Sequence, residues 1–241
     1  MTGVGLPHVV GTETIFGELV GSGGQDIGIQ NISKIDFDRL RERVEDYPAR
    51  RTTVQSLKGA IEPRLGDMLQ QNPQRTNLQR RYEEIVAEYN REKDPATIED
   101  TLEALLRFVG EIDEEGARAA REDLDEESLA IYDILQKPDM SDAGTEQIKA
   151  VAIRLLEELM AERLRVDHWR DKEATRDAVR TFILDYLWDE RTGLPVESYS
   201  EDDVRERSEE IFRHVYRVYP TVPSPYYTDA AAGDGKVSPG R

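Results

Sequence analysis

Three charged residues in the middle of the chain have the types that metal-dependent phosphodiester hydrolysis requires. Asp139, Glu146 and Lys149 resemble the nuclease pattern of an acid followed by an acid–x–lysine pair, which holds Mg²⁺ and positions water. The spacing from Glu146 to Lys149 is wrong, and these residues fall at a predicted helix start instead of on adjacent strands. Asp234 and Lys236 have the required local spacing but lie in a tail predicted to be disordered. The sequence therefore predicts no nuclease site.

Other patterns that carry chemistry are also incomplete. The glycine-rich stretch at 21–24 has no lysine after it, so it predicts no phosphate-binding loop. The histidines, His8, His168 and His214, show no metal-ligand spacing. The acidic stretch at 123–128 begins like a calcium loop but has a serine where glycine is required. Cysteine is absent, which excludes disulfides, thiolate metal sites and cysteine nucleophiles. We expect no catalytic, cofactor or metal site.

The elements that would position any site are helices. Apolar residues recur at intervals of three and four, and no alternating strand pattern persists. They predict an all-α bundle of about eight helices, near 37–44, 54–68, 76–89, 98–112, 129–135, 148–160, 178–187 and 204–219. Pro63 predicts a kink or a split in the second helix. Cap signals stand at Asp94, Asp125 and Asp171, and at Ser200 with Asp203.

Composition divides the chain into three parts. Residues 1–30 are predicted to be an irregular, glycine-rich arm, since eight of the 17 glycines fall there. Residues 31–219 form the helical domain, which could be built as two sub-bundles at about 31–137 and 138–219. Residues 220–241 contain four prolines and three glycines and predict a disordered tail.

The overall charge is strongly acidic. The net charge is −18, and the basic residues are 25 Arg and 7 Lys. This balance indicates either adaptation to a salty, halophilic cytoplasm, where self-repulsion is screened, or an ordinary acidic protein. The sequence contains no apolar run of about 18 residues and no signal-peptide pattern at its N-terminus. We therefore expect a cytoplasmic protein that does not use a membrane.

The charge distribution is bipolar. Residues 50–81 carry a net charge of +5, whereas residues 94–127 carry −10. The basic segment pairs internally with the acidic one, or it forms a docking surface for an acidic partner or a DNA backbone. Unaided DNA binding is disfavoured, because the acidic remainder repels phosphate. The candidate docking residues are Arg50, Arg51, Lys58, Arg64, Arg75, Arg80 and Arg81.

Two tryptophans and one helix offer a second kind of docking surface. Trp169 and Trp188 serve either as interface anchors or as core residues. The helix at 146–165 has a wide apolar face that would also dock a partner if it were exposed.

Several stretches together resemble the C-terminal helical domain of the endonuclease subunit of type I restriction enzymes. The resemblance covers about residues 30–217, and it rests on the order and spacing of its motifs. These are Ile35–Leu40, Leu57–Glu62, Met68–Pro73, Tyr82–Asn90, Leu129–Leu135, Val166–Trp169 and Lys172–Arg176.

The resemblance implies a non-catalytic assembly function. In such subunits a nuclease and two motor domains use Mg²⁺ and ATP, and the helical domain docks them onto the methyltransferase and specificity subunits. This sequence resembles the helical domain alone, so no catalytic residue carries over, and DNA is contacted indirectly through the complex. A split gene product, a truncated remnant and a reused helical adaptor remain alternatives, as does a DNA-backbone-binding helper that uses the basic 50–81 segment.

Overall fold

The computed structural model describes residues 47–91 and 94–227. These residues form eight α-helices and no β-strand, which confirms the all-α prediction. The helices are α1 (Tyr47–Gln71), α2 (Thr76–Arg91), α3 (Pro95–Gly116), α4 (Arg118–Arg121), α5 (Glu126–Leu135), α6 (Asp142–Glu158), α7 (Glu173–Trp188) and α8 (Glu201–Val218). A π-helical turn, Leu159–Arg163, directly follows α6. The predicted arm at 1–30 and the helix predicted near 37–44 lie outside the described residues.

The described chain divides into two compact units, with boundaries inside α1, in the first turn of α2 and inside α3. The first unit contains residues 47–65 and Leu78–Asp113, and the second contains Gly66–Asn77 and residues 114–227. This division differs from the two sub-bundles that the sequence suggested, which met at residues 137 and 138. The reason is that α5 packs against α6, so the helices on both sides of that point share one core.

The first unit is held together by one buried stripe from each of its three helices. Buried stripe residues include Val54, Leu57, Ile61 and Leu65 on α1, Leu78, Tyr82, Ile85 and Tyr89 on α2, and Ile98, Leu102, Leu105, Val109 and Ile112 on α3. The rings of Tyr82 and Phe108 stack with centroids 5.7 Å apart. The intervals of three and four residues therefore marked the core faces of these helices.

Pro63 neither ends nor splits α1, which runs without interruption from Tyr47 to Gln71. Proline lacks the amide that would bond to the carbonyl of Gly59, and its ring crowds that carbonyl, at a cost of about 3 kcal/mol in a helix interior. Ile61 and Leu65 on either side of Pro63 are 0% and 4% exposed. Their burial offsets the local cost, so tertiary packing carries the helix through the proline.

The second unit has its core among α5, α6, α7 and α8. The wide apolar face of α6 and the π-helical turn lies inside this core, because Ile148, Val151, Leu155 and Leu159 are each at most 3% exposed. This face was one of the two predicted docking surfaces, and its burial removes it from that role.

The chain after α8 continues to pack on the second unit. Ser224 and Tyr227 are buried, and the Tyr227 hydroxyl donates to the Gln71 carbonyl at 2.6 Å. The Ser224 hydroxyl donates to the Val218 carbonyl at 2.5 Å. Residues 220–227 therefore pack on the second unit, contrary to the disorder predicted from residue 220. The prediction rested on proline and glycine content, which does not show that Ser224 and Tyr227 have hydrogen-bond partners in the fold. Residues 228–241 lie outside the described residues.

Three of the four cap positions named from the sequence are confirmed, at Asp94, Asp125 and Ser200. The carboxylate of Asp94 accepts hydrogen bonds from the amides of Ala96 and Thr97 at 2.9 and 3.0 Å. The bond from the Thr97 amide is the largest of the contributions that hold the pKa of Asp94 below its ordinary value. Asp125 caps α5 by accepting from the Ser128 amide at 2.6 Å. Asp171, in contrast, does not cap α7, which begins at Glu173. Its carboxylate instead lies 3.2 Å from the imidazole of His168.

Replacing Ser200 with alanine will lower the free energy of unfolding by about 1 kcal/mol. Ser200 and Asp203 form a reciprocal capping box at the start of α8, and Ser200 Oγ accepts from the Asp203 amide at 3.2 Å. Chemical denaturation measures the change, with Ser198→Ala as the matched control, since Ser198 is exposed and contributes its backbone carbonyl to Lys137. Equal stability of the two variants would contradict the cap assignment.

Candidate docking surfaces

Two arginines of α1 in the predicted basic segment form ion pairs inside the first unit. Arg50 Nη1 lies 2.6 Å from Glu99 Oε2, and Arg64 Nη1 lies 2.5 Å from Asp113 Oδ1. Both acids belong to α3, within the acidic stretch at 94–127. Of the two interpretations that the sequence left open, these contacts favour internal pairing for Arg50 and Arg64.

The other basic residues of the 50–81 segment that belong to the first unit lie nearer to solvent. Lys58 sits over the ring of Tyr89, with its Nζ 5.6 Å from the centroid. Arg51, Arg80 and Arg81 are exposed, and none has a carboxylate within ion-pair distance among the described residues. Among the residues that the structure describes, these three are the exposed guanidiniums of the basic segment.

Arg75 belongs to the second unit and is 2% exposed, so it is not available for docking. Its Nε lies 2.9 Å from Glu115 Oε1 and its Nη2 lies 2.9 Å from Glu126 Oε2. A guanidinium can satisfy two carboxylates at once because its donors form a planar fork. Arg75 therefore joins the loop after α1 to the end of α3 and the start of α5.

A second group of polar side chains, which is partly buried, shares Glu115 with Arg75. Arg118 binds both oxygens of Asp133, and it also pairs with Glu115 at 3.2 Å. Asn72, which is 0% exposed, donates to Asp133 at 2.6 Å. Burial alone would lower the pKa of Arg118, but its hydrogen bonds and charge contacts with Asp133 and Glu115 outweigh burial and raise it. The group is a structural centre in which Arg118 offsets the charge of Asp133 and shares Glu115 with Arg75.

The two tryptophans have different environments. Trp169 is 1% exposed, and its indole donates to the carbonyl of Tyr219 at 2.9 Å. Trp169 is therefore a core residue, and a partner cannot reach it in this structure. Trp188, at the end of α7, is 44% exposed and is the candidate interface aromatic that lies at the surface.

A cleft of about 400 Å³ lies beside Trp188 in the second unit, between α7 and α8. It is lined by Leu184, Asp185, Trp188, Asp189 and Arg205. Leu184 precedes Trp188 by four residues, so both side chains lie on one side of α7. Arg205, on α8, lies over the indole ring, with Cζ 5.9 Å from its centroid.

Arginine–aromatic contacts continue from this cleft along the junction of α7 and α8. Arg180 lies over the ring of Phe212 at 4.1 Å, and Arg170 lies over the ring of Tyr216 at 5.6 Å. Tyr216 is 39% exposed. From Arg205 to Tyr216 the surface extends roughly 16 Å along α8, given a rise of 1.5 Å per residue. We call it the aromatic surface, defined by Arg170, Arg180, Trp188, Arg205 and Tyr216; Phe212 itself is buried.

Sequence reasoning identified Trp188 but missed its neighbours. Leu184, Asp185, Arg205 and Tyr216 carry no motif, and their proximity depends on how α7 packs against α8. One signal was available, since the buried stripe of α7 ends at Tyr186 and Leu187. Trp188 follows Leu187 by about 100° around the helix and so lies off the stripe.

Of the residues considered for hydrolytic chemistry, Glu146 and Lys149 form an ion pair with each other. Lys149 pairs with Glu122 at 3.0 Å and Glu146 at 3.2 Å, and the hydrogen bond to Glu122 is the main cause that raises its pKa. His168 is exposed, whereas His214 is buried. Within residues 47–91 and 94–227 no group of three or more histidine, aspartate and glutamate side chains is arranged to hold a metal ion. None of the helices described there is long and apolar enough to cross a bilayer.

Comparison with known families identifies the class of this helical domain. Residues 23–220 match the family described as type I restriction enzyme HindI endonuclease subunit-like, C-terminal. The chain belongs to this family, and the matched range agrees with the resemblance predicted over about residues 30–217. No curated protein and no solved structure matches the chain.

Proposed function

We propose that this chain is a non-catalytic assembly module of a type I restriction-modification system. It docks a motor and nuclease subunit onto the core formed by the methyltransferase and specificity subunits. In this proposal ATP and Mg²⁺ serve the motor and nuclease domains and are not bound by this module, which contacts DNA through the complex. Family membership supports the assignment, because the family is the C-terminal part of an endonuclease subunit.

The observation that carries the docking role is the aromatic surface. Exposed Trp and Tyr side chains interleaved with Arg have the composition of the residues that dominate protein–protein binding energies. Trp188 and Tyr216 are 44% and 39% exposed. Charged side chains are already abundant in this chain, whose net charge is −18, so these aromatic rings do not serve its solubility. A partner that covered them would remove this apolar area from water.

A DNA-backbone-binding role for the basic segment has weaker support. Arg50, Arg64 and Arg75 are engaged by carboxylates, and Lys58 packs over a tyrosine ring. The exposed guanidiniums of Arg51, Arg80 and Arg81 are what remains to contact phosphates. Neutralising few phosphates gives weak binding, and the acidic remainder of the chain opposes it.

A binding titration separates the two roles. The fluorescently labelled full chain is titrated with the purified methyltransferase–specificity core and, separately, with a short DNA duplex, while anisotropy is measured. We expect saturable binding to the core that persists at about 1 M KCl, where the Debye length is only about 3 Å. Binding to the duplex alone with a steep salt dependence, or no binding to the core, would contradict the docking proposal.

A further inference from the structure

The exposure of Trp188 has no explanation in the packing of the second unit. Trp188 is the last residue of α7, and the neighbouring core positions are filled by Tyr186 and Leu187, which are 7% and 1% exposed. A tryptophan side chain offers 150–250 Å² for burial, on the order of the largest contribution that one residue makes at an interface. The exposed indole wall of the cleft therefore offers apolar area that a partner could cover.

The cleft beside Trp188 is negatively charged. Asp185 and Asp189 contribute two carboxylates to its lining, and Arg205 contributes one guanidinium. Arg205 is already paired with Glu201 at 3.2 Å and with Asp202 at 3.5 Å, so its charge is offset. Hydrogen bonds from the backbone amides of Arg191 and Thr192 hold the pKa of Asp189 below its ordinary value, and this carboxylate stays ionised at neutral pH. The local field disfavours phosphate and favours a cation.

The chemistry of the lining selects one kind of side chain. Leu184 and the indole of Trp188 form an apolar wall, and carboxylates stand at its edge. Lysine and arginine carry an apolar stem that packs on such a wall and a charged tip that reaches carboxylates. We propose that the Trp188 cleft receives a lysine or arginine side chain of the partner protein, an inference that rests on the docking function proposed above.

The first test compares variants in the titration with the methyltransferase–specificity core. Trp188→Ala raises Kd by about tenfold or more, the size expected when a central aromatic anchor is truncated. Asp185→Lys also weakens binding, since it places a cation where the partner's cation sits. Val196→Ala is the matched control, because Val196 is 77% exposed in the same unit and lies outside the cleft lining. Thermal unfolding of each variant confirms that the fold is retained.

The outcomes separate the cleft from the docking function. Binding by the wild-type chain that Trp188→Ala and Asp185→Lys leave unchanged would overturn the cleft inference and leave docking intact. Failure of the wild-type chain to bind the core would contradict docking itself.

A second measurement tests the cleft without the core. A short helical peptide of leucine and lysine is added to the full chain, and tryptophan emission is recorded, with Trp188→Phe supplying the signal of Trp169. We expect a shift in Trp188 emission that is absent with a leucine–glutamate peptide and absent in Asp185→Lys. No response to the lysine peptide, or an equal response to both peptides, would overturn the inference.

Discussion

Replacing Arg75 with alanine will lower the free energy of unfolding by about 3 kcal/mol. The substitution leaves the carboxylates of Glu115 and Glu126 without the guanidinium that binds both at 2.9 Å. Removing one partner of a buried ion pair costs about 3–5 kcal/mol, because the charge left behind is poorly solvated. We expect the low end of this range, since the two glutamates are 20% and 23% exposed and water reaches them in part. Urea denaturation measures the loss.

Two further variants show whether the loss has this cause. Arg80→Ala removes an exposed arginine from the same basic segment, and we expect a change within about 0.5 kcal/mol. Combining Arg75→Met with Glu115→Gln and Glu126→Gln should recover part of the stability, because it removes the stranded charges together with their partner. A loss below about 1 kcal/mol for Arg75→Ala would mean that the guanidinium is not a structural centre.

Acidification will destabilise the fold through His214. The residue is 3% exposed, and burial, together with the charge of Arg217, lowers its pKa from 6.5 to about 3. Between these two pKa values His214 is therefore protonated in the unfolded chain and neutral in the folded chain. The stability that His214 contributes is fully present above about pH 6.5, and it is lost as pH falls towards 3. The loss is about 1.4 kcal/mol for each pH unit in that window.

The hydrogen bonds around His214 explain why it stays neutral. The Tyr227 hydroxyl has one proton, which it donates to the Gln71 carbonyl at 2.6 Å. The contact of 3.2 Å between Tyr227 Oη and His214 Nε2 then requires Nε2 to be the donor. A second proton on Nδ1 would have no acceptor, because this buried atom has no hydrogen-bond partner among the described residues.

The measurement is the free energy of unfolding at pH 6.0 and 4.5 for the wild-type chain, His214→Leu and His168→Asn. Carboxylates titrate in all three, so the difference between variants isolates the histidine. We expect the wild-type chain to lose about 2 kcal/mol more than His214→Leu over this interval. His168→Asn should behave like the wild type, because His168 is 81% exposed. Parallel pH profiles for the wild type and His214→Leu would contradict the buried, neutral assignment.

The features predicted correctly from sequence depend on neighbours along the chain. The caps at Asp94, Asp125 and Ser200 need residues only two or three positions away. The apolar stripes repeat within one helix, so periodicity alone identified the buried faces. Local signals were incomplete where distant contacts decided the outcome. At Pro63 the sequence allowed a kink or a split, and packing on both sides excludes the split by keeping α1 continuous.

The docking residues could not be sorted by local pattern. Arg75 and Arg80 look equivalent in a basic segment, yet Arg75 is buried by acids 40 and 51 residues away, whereas Arg80 is exposed. Trp169 and Trp188 are the same residue type, yet Trp169 is buried and Trp188 is exposed. The indole of Trp169 donates to a carbonyl 50 residues away, a contact that no local pattern reveals. Charge counting also found the complementary segments but not the pairs, such as Arg50 with Glu99, that neutralise them.

The central claim is that this domain assembles with a methyltransferase–specificity core. The molar mass of the species that elute when the two are mixed tests it most directly. The full chain and the core are combined above the measured Kd and separated by size-exclusion chromatography with light scattering. The docking account predicts one peak whose mass is the sum of the core and the bound chain, with a smaller bound fraction for Trp188→Ala. Two peaks with the masses of the separate components would contradict it.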